Sequence, residues 1–203
     1  MDKSIPRTRN GSIPKHPNFS SIALKEWDLT ISALLSGRQV LLLRKGGILE
    51  SENQFELEHS RFVFYPTFIH QDPRMVKPEF RAGLRQVAAE PEVVHIACYG
   101  EAAKIWEVPS RRKFDLLDDL HIWNVPLVDM RFAYRPEKPL YLVAVRAYRL
   151  AVPVMLPNTL AYAGCKSWVP LTQEIDISKI DTAMSEGEFN QIVARIDTTF
   201  QSK

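Results

Sequence analysis

Two cysteines, Cys98 and Cys165, are all the thiols this chain of 203 residues contains, and they form no C-x-x-C pair. That excludes a disulfide framework or a zinc knuckle and leaves reduced thiols packed in a core. Charge of one sign is also missing: 26 Lys and Arg face 24 Asp and Glu, for a net +2. Lys3, Arg7, Arg9 and Lys15 against Asp2 account for that excess, so the body is near neutral and is no globally basic nucleic-acid binder, although a local basic patch stays open. No apolar run approaches the ~18 residues of a membrane span, and the first residues lack the apolar core of a signal peptide. A cytoplasmic, membrane-free protein is the expectation. G-x-G-x-x-G, a P-loop, heptads and internal repeats are absent as well, which removes an ordered series of βαβ units bearing a nucleotide fingerprint.

What is present, 45% apolar residues in a chain of this length, suffices for one sizeable core. Residues 1–19, with Pro6, Pro14 and Pro17 among polar neighbours, read as a flexible tail. Residues 20–175 read as a single domain. Residues 176–203 carry a C-terminal amphipathic helix: Ser185 and Glu188 spell a capping box ahead of Phe189, Ile192, Val193, Ile196 and Phe200. It is expected to pack on the domain or on a partner, including a second copy of the chain.

Inside the domain, Ile22, Leu24, Trp27, Ile31, Leu34 and Leu35 recur at helical spacing up to Gly37, predicting a helix that feeds a strand at Gln39–Arg44. Further strands are expected at Phe55–Glu58, Arg61–Thr67, Val93–Tyr99 and Leu140–Leu150, the last ended by Pro153 and Pro157. A helix bearing Phe80, Leu84, Val87 and Ala88 is expected after Pro78. Another, capped by Asn124 with Pro126 just inside, carries Leu127, Met130, Arg131 and Tyr134 on one side. Residues 102–119, with Arg111-Arg-Lys113 and Asp115, Asp118 and Asp119, show no period and read as loop. The sum is an α+β fold: a small curved, mainly antiparallel β-sheet or barrel-like core with flanking helices.

Three segments carry polar chemistry. At Arg44-Lys45-Gly46-Gly47, glycines permit close backbone approach and the cations favour an anion such as phosphate; a plain hairpin with solvated charges writes the same residues. In Tyr65-Pro-Thr-Phe-Ile-His-Gln71, the hydrogen-bonding groups of Tyr65, Thr67, His70 and Gln71 crowd beside Phe62, Phe64 and Phe68, where burial needs partners. His70 there is a candidate ligand contact or general acid/base, or a structural hydrogen-bond partner. In Tyr162-Ala-Gly-Cys-Lys-Ser-Trp168, Lys166 favours a Cys165 thiolate, yet no histidine is placed as its base and a packed turn explains the segment. Glu56 and Glu58 share one side of their strand, with His59 next, and are weak candidates for a Mg²⁺ or Mn²⁺ site; a solvated strand face accounts for them equally.

Ala23-Leu-Lys-Glu-Trp27, the run from Ala33 to Gly37 and Gln39, Leu41-Leu-Leu-Arg-Lys-Gly-Gly-Ile48, Phe64-Tyr-Pro-Thr67 with His70-Gln71, and Gly164-Cys-Lys-Ser-Trp168 together resemble the prokaryotic family catalogued as domain of unknown function 1802 over about residues 22–172. That resemblance brings no established activity. More distantly, a helix ending in Gly, a Gln, an Arg-bearing strand and a late strand followed by Pro153 resemble the ASCH domains of the PUA-like fold. Those are small β-barrels proposed to bind RNA or modified nucleotides, and the likeness would put Arg44 and Lys45 near a ligand.

The leading expectation is therefore an RNA- or nucleotide-binding module, whether or not it is an enzyme, with Arg44, Lys45, Gly46, Gly47, Tyr65, Thr67, His70 and Gln71 at the ligand and no cofactor. A metal-dependent phosphodiester hydrolase using Glu58 and His70 with Mg²⁺ or Mn²⁺ is one alternative, and a non-catalytic protein-interaction module working through the C-terminal helix is the other.

Overall fold

The computed structural model describes residues 18–45, 48–51, 54–164 and 166–202, with only the backbone at 48–51 and 54–56. Gly46, Gly47, Cys165, the Glu56 side chain and residues 1–17 of the expected tail lie outside the described residues. The chain is α+β. Its strands are β1 (Phe19–Trp27), β2 (Leu41–Arg44), β3 (Ile48–Ser51), β4 (Gln54–Leu57), β5 (Arg61–Thr67), β6 (Val93–Glu107), β7 (Tyr141–Pro157), β8 (Trp168–Asp176) and β9 (Ile180–Thr182). Its helices are α1 (Asp28–Leu35), α2 (Arg111–Asp115), α3 (Val125–Ala133) and α4 (Glu186–Gln201). No helix among the described residues is long and apolar enough to cross a membrane.

The main sheet runs β2-β7-β6-β5-β1-β8, with β9 also on β7, and β3-β4 form a separate hairpin. All pairings are antiparallel except β1 with β5. The sheet is open along its ladder but strongly curled. Only residues 177–179 separate β8 on one edge from β9 on β7, a link that reaches at most about 14 Å. Strand alternation then divides the apolar residues. On β5, Val63 and Tyr65 point to the inside of the curl with Ile96, Tyr148, Leu150, Val169 and Ile175, while Phe62 and Phe64 point outward to Leu24, Leu34, Leu42 and Val143. Gly100 on β6 makes room for this: a Cβ there would lie 2.7 Å from the Phe64 ring.

A third cluster joins β2 and the start of β7 to the helices, through Leu41, Leu43, Trp106, Phe114, Leu127, Leu142, Phe189 and Ile196. Helix α4 docks here on its own core, with Phe189 and Ile196 buried and Ile192, Val193 and Phe200 half-buried against it. The Ser185–Glu188 capping box forms, and Asp197 accepts from Trp106 Nε1 (2.8 Å) and pairs with Lys104 (2.6 Å).

Several expectations are corrected. The helix predicted from Ile22 begins only at Asp28, because Ile22–Trp27 form β1, flanked by β5 and β8 and covered on both faces, so its apolar pattern shows no period of two. Its end is as expected: Gly37 (φ 69°) closes a Schellman turn in which Arg38 N donates to Ala33 O and Gly37 N to Leu34 O. The helix expected around Phe80–Ala88 is a short 3-10 helix, Pro78–Gly83. Gly83 is a poor helix former, and the extended chain beyond it delivers Glu90 to the amides of Phe68 and Ile69. Residues 102–119 are not loop: β6 continues to Glu107, with Trp106 buried in one cluster and Ala102 and Ile105 packed against another, and α2 follows. β7 runs through Pro153, which is tolerated because the ladder with β6 shifts register between Ile96 and Cys98. On α3, Leu127 and Val128 are buried, whereas Met130 and Tyr134 are exposed. β8 and β9 had no distinct sequence signal.

Candidate functional site

The ends of β1 and β5, the end of β2, α3 and residues 158–167 enclose a cleft of ≈ 690 Å³. Because β1 and β5 are parallel, with Lys25 opposite Tyr65 and Trp27 opposite Thr67, their C-terminal ends open at the same place. The curl brings the far edge of the sheet to them: Arg44, ending β2, pairs with Glu26 of β1 at 3.2 Å, their side chains only 13% and 17% exposed. Burial pushes the Arg44 pKa down; Glu26 opposes that shift and Arg131 adds to it.

Lys25 forms one wall. Its Nζ donates to the carbonyls of Tyr162 and Gly164 (3.0 Å for the latter) and lies 5.8 Å from the centre of the Tyr65 ring. The Tyr65 hydroxyl donates to Asn158 Oδ1 at 2.7 Å, and Asn158 Nδ2 donates to Pro91 O at 2.9 Å, which fixes the amide's orientation. Burial first, then the nearby Glu90 and Tyr162, raise the Tyr65 pKa to about 12. Tyr65 is thus a neutral phenol at any ordinary pH. Thr67 Oγ1 donates to Glu26 O at 3.1 Å, and the Glu90 carboxylate accepts from Phe68 N at 2.9 Å and Ile69 N at 3.0 Å. His70, on the rim, adopts φ 78°, a left-handed backbone that a non-glycine residue enters at a cost.

Arg131 on α3 completes the lining. Its Nε is buried without a hydrogen-bond partner, and it makes no ion pair among the described residues. A buried donor left unmade costs about 1–3 kcal/mol. Two guanidiniums thus face one space, and only that of Arg44 has a carboxylate on it.

Of the residues singled out in the sequence, Arg44, Tyr65, Thr67 and His70 meet in this cleft, as do 162–164 and Lys166 of the third segment. Lys45 does not line it: its Nζ donates to the carbonyls of Phe132, Arg135 (3.1 Å) and Lys138 (3.0 Å), capping the C-terminal end of α3. Nor does Gln71, which is buried, its Oε1 accepting from Leu29 N (3.1 Å) to satisfy a free amide at the start of α1. Glu58 is exposed, lies 3.8 Å from His59 Nε2 and stands apart from His70. Among the described residues no group of three or more His, Cys, Asp or Glu could hold a metal ion. Trp168 packs inward on Phe62, and Cys98 is a buried thiol whose pKa burial pushes up. Lys25, Glu26, Glu90, Arg131 and Asn158 had no signal in the sequence beyond their polarity, because topology alone gathers them.

A curled, mainly antiparallel α+β sheet with a polar, cation-lined cleft at its parallel strand ends is the class of protein so defined. The chain belongs to the family described as Domain of unknown function (DUF1802), which matches residues 23–195. No curated protein sequence matches it. Among solved structures it is similar to an ASCH protein from Zymomonas mobilis, at 11% identity and a TM-score of 0.40, over 86% of this chain and 93% of that one. A mutant of the same protein gives 11% identity and a TM-score of 0.39, over 89% and 99%.

Proposed function

We propose that the cleft binds a nucleotide, free or as part of single-stranded RNA, with its phosphate against Arg131 and Arg44. The observation that carries this reading is the unpartnered, buried Nε of Arg131 beside a second guanidinium. A phosphate satisfies that donor and neutralises the repulsion between the two cations, and planar guanidiniums suit it because they donate in pairs to its oxygens. Since Glu26 already holds Arg44, Arg131 is the primary anion contact and Arg44 the supporting one. A volume of ≈ 690 Å³ accommodates one nucleoside, within the range of small-ligand pockets. Around it Tyr65, Thr67, His70, Asn158 and Glu90 offer both donors and acceptors to a base or ribose edge.

Arg131→Met tests the reading. Binding of a labelled single-stranded RNA should weaken by about 10- to 100-fold, as expected for a charge-assisted hydrogen bond. Its salt dependence should become shallower by about one unit of slope. The melting temperature should hold or rise, since the repulsion with Arg44 is removed. A wild-type protein that binds neither RNA nor nucleotides, or an Arg131→Met variant that binds as well as wild type, overturns it.

A further inference from the structure

Just past Arg131, α3 ends and the chain turns over residues 134–138. Tyr134 is three residues beyond Arg131, a separation that puts side chains about 5–6 Å apart at Cβ on a helix. It is 51% exposed, unusual for so large an aromatic. The guanidinium of Arg135 lies 5.2 Å from the centre of its ring, covering one face by a cation–π contact. Arg135 itself has φ 47°. Among the described residues, it and His70 are the two non-glycine positions with positive φ, and His70 is on the rim of the cleft. Backbone strain of this kind persists only where the surroundings enforce it. Here Lys45 does so, with its ammonium on the carbonyls of Phe132, Arg135 and Lys138, next in sequence to the cleft residue Arg44. The turn is therefore fixed in position relative to the anion site, and it presents an aromatic ring backed by a cation. Glu137 is the one acid in a turn that also carries Arg135 and Lys138.

Resting on the nucleotide reading above, we infer that Tyr134 and Arg135 form a stacking platform for the base adjacent to the one in the cleft, so that the ligand is single-stranded RNA and not a free nucleotide. Aromatic rings stack on any base and arginine adds to that stacking, so the platform contributes affinity without selecting sequence. Arg131 takes the phosphate between the two bases, and the strand continues over the basic turn.

Fluorescence anisotropy with a short labelled single-stranded RNA, and competition by mononucleotides, separates the alternatives. The RNA should bind much more tightly than any mononucleotide. Tyr134→Ala should weaken RNA binding by roughly tenfold, the loss of one stacked base, while Tyr134→Phe retains it. Competition by mononucleotides for the cleft should be the same in Tyr134→Ala as in wild type. Tyr134 is exposed and helix-terminal, so its replacement leaves folding intact. RNA binding unchanged in Tyr134→Ala, or mononucleotides that bind as tightly as RNA, overturn the platform and leave the nucleotide reading standing. Binding of neither ligand overturns both.

Discussion

At helix α4, polar groups find partners close by: Ser185 and Glu188 cap each other, Arg195 meets Asp119 with two bonds of 2.6 Å, and Asp197 serves both Lys104 and Trp106. At the cleft Lys25, Tyr65, Asn158 and Glu90 are paired as well, but other groups are not. Arg44 is buried close to a second guanidinium, the Nε of Arg131 has no partner, and His70 and Arg135 hold left-handed backbones. Both regions belong to one curled sheet, so the contrast is not one of a rigid part and a loose part. The unmet groups at the cleft lie where there is room for something else to complete them. His121 is the exception at the α4 end. Both its ring nitrogens are buried without hydrogen-bond partners, and stacking between Phe114 (5.0 Å) and Trp123 (5.1 Å) holds the ring in place.

Three measurements would break or sharpen this contrast. The largest effect is expected at the α4 end, where Phe189→Ala should cost about 3–5 kcal/mol in denaturant unfolding by opening a cavity under the helix. A loss well under 1 kcal/mol would mean that α4 is dispensable to the core. Next comes His121. Burial, with a smaller push from Lys77, lowers its pKa from 6.5 to about 4, so the native state keeps the ring neutral while the unfolded chain takes up a proton below 6.5. Stability should therefore be fully present above pH 6.5 and fall by about 3 kcal/mol in all as the pH drops through 4. His121→Phe should flatten that part of the profile, and an unchanged slope would show that other groups drive it. The smallest effect, about 2 kcal/mol, is expected from Glu26→Gln, which keeps a hydrogen-bonding group but leaves Arg44 facing Arg131 without a charge-assisted bond. Adding Arg131→Met should recover part of the loss; strict additivity in that double-mutant cycle would show that the two guanidiniums do not interact.

The sequence was most readable where a local signal and its structural cause coincide. Ser185 and Glu188 announce α4, Gly37 announces the end of α1, and Asn124 accepts from Val125 N at the start of α3. It was least readable where a strand is covered on both faces. β1 carries apolar residues on both sides of the sheet, and the second half of β6 interleaves Ala102, Ile105 and Trp106 with exposed Ala103 and Lys104, so neither displays a period of two. The site divides in the same way. Arg44, Tyr65, Thr67 and His70 stood out because polar groups crowd short apolar strands. Lys45 and Gln71 stood out for the same reason and proved to hold α3 and α1 in place. Arg131 and Glu90 reach the cleft only through tertiary structure: one is a cation among the apolar residues of a helix side, the other follows a stretch whose apolar spacing imitates a helix.

The bond from Lys25 to Gly164 spans 139 positions of the chain, and between those two residues lie β2, β5 and α3, all of which contribute to the cleft. Contacts so distant in sequence close late in folding, after the loops between them have lost their freedom. No fragment that lacks either end of this span can therefore assemble the whole cleft, and the cleft exists only in chains in which β1, β2, β5 and α3 have come together. A ligand that occupies it selects those chains, and at a hundredfold excess over its Kd it adds about 2.7 kcal/mol to the stability of the whole protein. Ligand occupancy thus serves as a readout of the assembly of these elements.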